Sequence, residues 1–444
     1  MEAKSRGSWS SNLGFILAAA GSAVGLGNLW KFPYLTGKYG GAAFVIIYLI
    51  AIVVVGFSIM LGEMAIGRSA QLNAIGAYRK LGGPKWSWIG GMGVLAGFLI
   101  LSYYSVVGGW VLNYIYSFVT GGVEKDTAAY FSSFISNPYQ PIFWHFIFMG
   151  LSVVVVIRGV AGGIEKCNKI MMPGLFLLLL VVMVRAVTLP GAEAGIQYYL
   201  KPDFSKITGE SIIAALGQVF FSLSLGMGCI ITYGSYLAKK ANLQKNAIIV
   251  PCLDTGASLL AGLAILPAVF AFGFQPSAGP GLMFITLPQV FQQMPLGGLF
   301  GVLFFLLVSF AAITSSISLL EVIAAYFIDE LHWSRPKAVI LLAVAMFLLG
   351  IPCSLSFGPM KDTLILGKNF FDCLDYLSSN ILLPLGGLLM CIFICYIWTV
   401  EKAAVEISNE GTLRFPMKMV WKIMLFTLTP AAVLVVFLNM IGVI

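Results

Sequence analysis

The sequence predicts an all-α integral membrane protein of eleven transmembrane helices, and three observations carry that prediction. Hydrophobic residues fill 59% of the 444 positions and charged residues only 10%, a balance that no water-soluble domain could bury. A helix needs about 20 mostly apolar residues to cross a bilayer. The stretches 39–62, 86–123, 127–157 and 211–238 each contain no Asp, Glu, Lys or Arg. These runs are continuous rather than alternating, which excludes a transmembrane barrel.

Taken in order, the spans are expected over 10–36, 41–66, 86–120, 140–157, 167–187, 211–238, 246–273, 298–327, 336–352, 364–398 and 417–443. The charge-free segment 255–320 is too long for one helix. Its middle carries Pro276, Pro280, Pro288 and Pro295 among glycines, so it reads as two spans joined by a folded external loop. Lys and Arg gather in the segments that an inside N-terminus makes cytoplasmic, such as 66–86, 158–169, 239–245 and 402–422. The expected location is the plasma (inner) membrane, multi-pass, with the N-terminus cytoplasmic and the C-terminus outside. The net charge of +8 is explained by this topology and by anionic lipid, and no basic motif calls for nucleic acid. No cleavable signal peptide is readable, because a polar tail precedes the first span.

The seven cysteines lie mostly inside spans. Neither they nor His145 and His332 have metal-site spacing. Cys373 is the one thiol placed to react, and packing is the blander reading even there.

Two glycine clusters interrupt spans at mid-membrane. The first span contains Gly21-Ser22-Ala23-Val24-Gly25-Leu26-Gly27-Asn28 and the sixth Ser222-Leu223-Ser224-Leu225-Gly226-Met227-Gly228. One such cluster alone reads as close helix packing. Two of them, each in the first helix of a five-helix half, point to an inverted-repeat carrier with its site near the midplane. Freed carbonyls there replace a cation's water shell, while half-helix N-termini face a carboxylate. The chain accordingly divides into a cytoplasmic tail (1–9), a first five-helix repeat (10–205), a second (206–400), and a cytoplasmic loop with one extra helix (401–444). In the eighth span, Ala311-Ala312-Ile313-Thr314-Ser315-Ser316 sets three consecutive hydroxyls in the membrane. Any one could bond back to its own helix, but three make a hard-cation site plausible. Intramembrane carboxylates are costly. Glu63 reads as a brace for backbone N–H groups and Glu321 as a solvated inner-end residue, which leaves Asp254 as the ion-linked charge.

At these residues the chain resembles the neurotransmitter:sodium symporter family, particularly its bacterial amino-acid transporters related to the leucine and multi-hydrophobic amino-acid transporters. The resemblance runs through Gly14-Phe15, GSAVGLGNLWKFPY at 21–34, SYYSVVGGW at 102–110, GGIEK at 162–166, GQVFFSLSLGMG at 217–228, GPGLMFITLP at 279–288 and SFAAITSS at 309–316, and covers essentially the whole chain. It implies a leucine-transporter-type fold of two inverted five-helix repeats plus one helix, and no enzyme activity. The implied function is sodium-coupled symport of a hydrophobic or aromatic L-amino acid into the cell by alternating access. Two Na⁺ ions and no organic cofactor are implied.

Residue by residue, the resemblance implies a first sodium site at Ala23, Asn28, Ser222 and Asp254, completed by the substrate carboxylate. A second is implied at Gly21, Val24, Ala311, Thr314 and Ser315. The amino-acid carboxylate would meet the N–H groups of Leu26 and Gly27 and the Tyr104 hydroxyl. Its ammonium would meet carbonyls at Ala23 and around Phe221 and Ser224. The side-chain pocket is expected from Ser22, Ile100, Tyr104, Phe221, Ser224, Met227, Ser315 and Leu319. Lys31 and Asp375 would form the outer charge gate, where the family usually has arginine in place of Lys31. Lysine lacks arginine's bidentate fork. Arg6, Trp9, Ser235, Tyr236 and Asp329 would form the cytoplasmic latch. Tyr48, Gln218, Ser222 and Ser258 match the family's chloride ligands, yet Asp254 stands one turn before Ser258 and supplies a fixed negative charge, so chloride-independent transport is expected. The rival readings are weaker. A channel needs pore rings or a carbonyl filter, a ligand-binding receptor shares only the polar midplane, and an intramembrane enzyme needs a Ser/His dyad or HExxH, which is missing.

Overall fold

A computed structural model describes residues 7–276 and 279–443, and over them the chain is helical, with one isolated bridge between Ile365 and Lys368 in place of a sheet. Among the described residues nine helices are long and apolar enough to cross a bilayer: Ala42–Ala70, Pro84–Thr120, Gln140–Ile157, Val160–Val187, Leu243–Ala271, Gly297–Asp329, Arg335–Leu355, Phe370–Trp398 and Lys418–Met440. They are the second to fifth and seventh to eleventh spans of the sequence reading. The first span is two helices, Asn12–Ala23 and Gly27–Lys38, bent by 58°. The sixth is split into Gly209–Ser222 and Cys229–Ser235, each half too short to qualify alone.

The breaks fall where the glycines and hydroxyls stand. Val24 turns to extended backbone at the end of the first half-helix. In the sixth span Ser224, Gly226 and Gly228 all take positive φ, at 53°, 78° and 76°. Gly226 must be glycine on two counts: its φ suits a residue without Cβ, and a Cβ would run into the Leu383 carbonyl oxygen of the tenth span. Glu63, buried in the second span, accepts the N–H that the break leaves open, Gly226 N to Oε1 at 2.8 Å, and so braces the backbone as expected.

Other boundaries shift for local reasons. The tenth span begins at Phe370 instead of 364, because Leu366 and Gly367 take positive φ in the bridged turn before it and Asn369 caps the helix through the Asp372 N–H. Short helices missing from the span list occupy the connections, among them Ala74–Gly82, capped by Asn73, and Thr127–Ser136, capped by Asp126. The folded loop over 274–298 contains Leu287–Gln293. Glu321 is not solvated: its side chain is fully buried, forked by Arg335 at 2.6 and 2.9 Å and bonded by the Tyr236 hydroxyl at 2.7 Å. The Arg335 side chain reaches it from the start of the ninth span.

Candidate substrate and sodium site

The broken first span faces the sixth, third and eighth spans around one small cavity. It is lined by Ser22, Ala23, Gly25, Leu26, Gly27, Asn28, Ile100, Tyr104, Phe221, Ser224, Met227, Ser315, Ser318 and Leu319. Every residue assigned from sequence to the amino acid lies in that lining. Gly25 and Ser318 were not assigned. Ser318 was legible in principle, since it stands three residues after Ser315 on the same helix face. It accepts from the Ser22 hydroxyl at 2.7 Å. Ser224 donates to the Ser22 carbonyl at 2.8 Å, so a strip of hydroxyls forms one wall of an otherwise apolar pocket.

At the head of the cavity stands the N-terminal end of the half-helix starting at Gly27, where the Asn28 N–H is taken by the Gly25 carbonyl at 3.2 Å and the Leu26 and Gly27 backbone lines the cavity. The Tyr104 hydroxyl is buried there without a hydrogen-bond partner. A helix N-terminus beside a buried hydroxyl gives this end of the cavity a positive partial charge.

Below it, oxygens of the sixth and seventh spans converge on Asn28. Its amide nitrogen donates to Asp254 Oδ1 at 2.7 Å, Ser258 Oγ at 2.8 Å and Ser222 Oγ at 2.9 Å. Ser222 donates to Asp254 Oδ2 at 2.7 Å, and Tyr48 reaches the same oxygen at 3.4 Å. Three acceptors crowd a group with two hydrogens, so the cluster holds more oxygen than the amide can satisfy. Asn28 Oδ1 is turned away, accepting from the Gly25 N–H at 2.8 Å. Half a turn of the amide would set that oxygen among the others. Gln218 donates to the Gly27 carbonyl at 3.4 Å, while its Oε1 is buried without a partner.

The second cluster is neutral. The Ser315 hydroxyl lies 3.1 Å from the Ala311 carbonyl oxygen, 3.3 Å from those of Gly21 and Ser22, and 3.4 Å from that of Val24. One hydroxyl hydrogen cannot serve four carbonyls. Thr314 Oγ1 joins them, 3.1 Å from the Ala311 oxygen. All five positions expected for a second sodium meet here, in a buried oxygen cage suited to a small hard cation.

A second, larger cavity of about 460 Å³ lies toward the expected outer face, with Lys31, Trp30, Tyr103, Trp110, Phe357 and Asp375 in its wall. Leu26, Tyr104 and Phe221 line both cavities, so the two aromatic rings form the partition. The gate charges share this wall without pairing. Lys31 Nζ lies over the Phe221 ring, 5.6 Å from its centroid, and Asp375 accepts from Tyr103 at 2.8 Å and Ser379 at 2.9 Å. The opposite side is packed. Trp9 donates its indole N–H to the Tyr233 carbonyl at 2.9 Å and its backbone N–H to that of Tyr236. Ser235 donates within its own helix, to Thr232. Asp329 accepts from the Asn73 N–H at 3.0 Å. Arg6 lies outside the described residues. Among the described residues no group of His, Cys, Asp and Glu could hold a transition metal. Cys373 is partly exposed, its thiol directed at the Ile365 carbonyl.

The profile of the Sodium:neurotransmitter symporter family matches residues 6–131 and 129–444. Similar proteins include an uncharacterized sodium-dependent transporter of Bacillus subtilis, 43% identical over 98% of both chains. Another, from Methanocaldococcus jannaschii, is 37% identical over 92% of this chain and 85% of that one. The sodium- and chloride-dependent glycine transporter 2 of Xenopus laevis is 26% identical over 97% of this chain and 63% of that one. Among solved structures, that of MhsT in complex with L-phenylalanine matches with a TM-score of 0.90 and 45% identity, covering 98% of this chain and all of that one.

Proposed function

The chain belongs to the sodium:neurotransmitter symporter family of secondary transporters, and from that premise we propose that it couples entry of a hydrophobic or aromatic L-amino acid to two sodium ions, independently of chloride. The observation that carries this reading is the pocket itself: a recess for a carboxylate, apolar walls for a side chain, and an oxygen cluster on either side. Because the carboxylate and the cation at Asn28, Ser222 and Asp254 would share a contact, each tightens the other's binding, and the coupling is reciprocal. Met227 is unbranched and adaptable, which suits a pocket taking several apolar shapes. The match to a transporter structure holding L-phenylalanine supports the same substrate class. The plasma membrane, with the N-terminus inside, is the setting that the charge distribution supports.

Chloride independence rests on Asp254. Its carboxylate lies against Ser222 at 2.7 Å, Asn28 at 2.7 Å and Tyr48 at 3.4 Å, among the side chains that would otherwise cradle an anion. A second negative charge about 4 Å away would be repelled by roughly 4 kcal/mol even at an effective dielectric near 20, enough to empty a weak halide site. The carboxylate is then available to take up a proton as the carrier returns empty.

The experiment is uptake of radiolabelled L-phenylalanine into proteoliposomes of the full chain. Accumulation should require an inward sodium gradient and persist when gluconate replaces chloride. Uptake without sodium would overturn the symport reading, and loss of uptake in gluconate would overturn the account of Asp254.

A further inference from the structure

The fourth span touches neither the amino-acid pocket nor the oxygen clusters, yet it is bonded to the backs of the two helices that supply their hydroxyls. Its buried stripe is Pro141, His145, Phe148, Met149, Ser152 and Val156, and His145 and Ser152, both fully buried, are the stripe's hydrogen-bonding side chains. They stand seven residues apart, two turns along one face.

His145 Nε2 meets Ser105 Oγ at 2.8 Å. Ser105 is the residue after Tyr104, so the third span turns Tyr104 toward the pocket and Ser105 toward the fourth span. The Ser105 hydroxyl donates to the Leu101 carbonyl at 2.7 Å. With its one hydrogen used there, the imidazole is the donor across the contact, and the unpartnered Nδ1 keeps a bare lone pair, which is cheaper to bury unpaired than an N–H. The ring is held tightly. A Cβ on Gly109 would lie 2.6 Å from the His145 backbone nitrogen, and one on Gly350 would strike the imidazole. Phe347 packs against the ring at 4.7 Å between centroids.

Ser152 repeats the arrangement two turns on. Its Oγ lies 2.6 Å from Ser316 Oγ; Ser316 donates to the Ile313 carbonyl at 2.8 Å, and the Phe148 carbonyl stands farther from Ser152, at 3.2 Å, so the shorter contacts give Ser152 as the donor to Ser316. Ser316 follows Ser315, the hydroxyl at the centre of the neutral oxygen cage. Each bond therefore holds a helix from directly behind a pocket residue.

We infer that His145 and Ser152 are separate positioning residues, His145 setting the Tyr104 hydroxyl for the substrate carboxylate and Ser152 setting Ser315 for sodium. The inference rests on the proposed roles of Tyr104 and Ser315. A purely structural fourth span would support both sites alike, whereas this geometry assigns one to each residue.

The test uses the purified full chain with two readouts: thermal unfolding titrated with sodium in the absence of amino acid, and radiolabelled L-phenylalanine binding at saturating sodium. Ser152→Ala should raise the sodium midpoint of the stabilisation about three- to ten-fold, the scale of one hydrogen bond, with Ser152→Thr restoring it. His145→Leu should leave that midpoint within about two-fold and weaken L-phenylalanine binding about three- to ten-fold, with His145→Gln, which keeps a donor, restoring it. Ser105→Ala, the smaller change, should reproduce His145→Leu, and the two together should do no more than either alone. General loosening lowers the unfolding temperature at every sodium concentration and leaves the midpoint unmoved. That outcome, or equal movement of both constants by both residues, would overturn the inference. If the unaltered chain binds no L-phenylalanine, the substrate reading fails, and the sodium arm with Ser152→Ala and Ser316→Ala decides the Ser152 assignment by itself.

Discussion

The two oxygen clusters beside the pocket are built from different materials. The one at Asn28 contains a carboxylate, Asp254, and closes through side chains of the first, sixth and seventh spans. The one at Ser315 has no charge and is made mainly of backbone carbonyls released where the first span breaks. The charged cluster should therefore respond to anything that changes local charge, such as a proton, a halide or the substrate's carboxylate. The neutral one should respond to the shape of the break, because its ligands are held by the backbone. One cluster reports charge and the other reports conformation.

Removing the hydroxyls of the neutral cage gives the sharpest break. Thr314→Ala with Ser315→Ala should abolish sodium-driven uptake in proteoliposomes, and full uptake would remove the cage from the mechanism. Asp254→Asn should separate the two clusters most clearly. With the charge gone, Tyr48, Gln218, Ser222 and Ser258 remain to hold an anion, so transport should either stop or become chloride-dependent; uptake that is intact and indifferent to chloride would show that the carboxylate's charge does no work there. Tyr104→Phe should weaken substrate binding by about 1–3 kcal/mol, the effect of leaving a buried charged group one hydrogen bond short, and an unchanged affinity in equilibrium binding would place the carboxylate elsewhere. Smallest of all, Met227→Phe should shift preference from Trp and Tyr toward Leu in competition assays. Equal losses for every amino acid would argue that Met227 does not touch the substrate's side chain.

Much of this arrangement was readable from residue types because the two breaks need unusual ones. Glycines at 226 and 228, with Ser222 and Ser224 beside them, make little sense in an uninterrupted apolar helix, and the same holds for Gly21 through Asn28. Pairings that depend on distance were less readable. Lys31 and Asp375 were expected to meet, but they form no ion pair: the lysine lies over the Phe221 ring, and the carboxylate accepts from the Tyr103 and Ser379 hydroxyls. Glu321 looked like an inner-end residue exposed to water because its partner, Arg335, is fourteen positions away beyond a turn. Ser318 was missed because a serine inside an apolar helix usually bonds back to its own turn. It does so here too, to the Ser315 carbonyl, while also accepting from Ser22.

The outer cavity has an electrical consequence. A vestibule of about 460 Å³, once filled with water and ions, conducts too well to sustain much of a transmembrane voltage. The potential must then fall across the Tyr104 and Phe221 partition and the packed layer on the other side of the pocket, where Trp9 is bonded to Tyr233 and Tyr236. Each elementary charge crossing that layer exchanges about 2.3 kcal/mol per 100 mV, so two sodium ions with a neutral zwitterion would draw roughly twice that. Sodium entry into the vestibule should accordingly be almost insensitive to voltage, and the current should accompany passage beyond the Tyr104 and Phe221 partition and the opening of the packed layer.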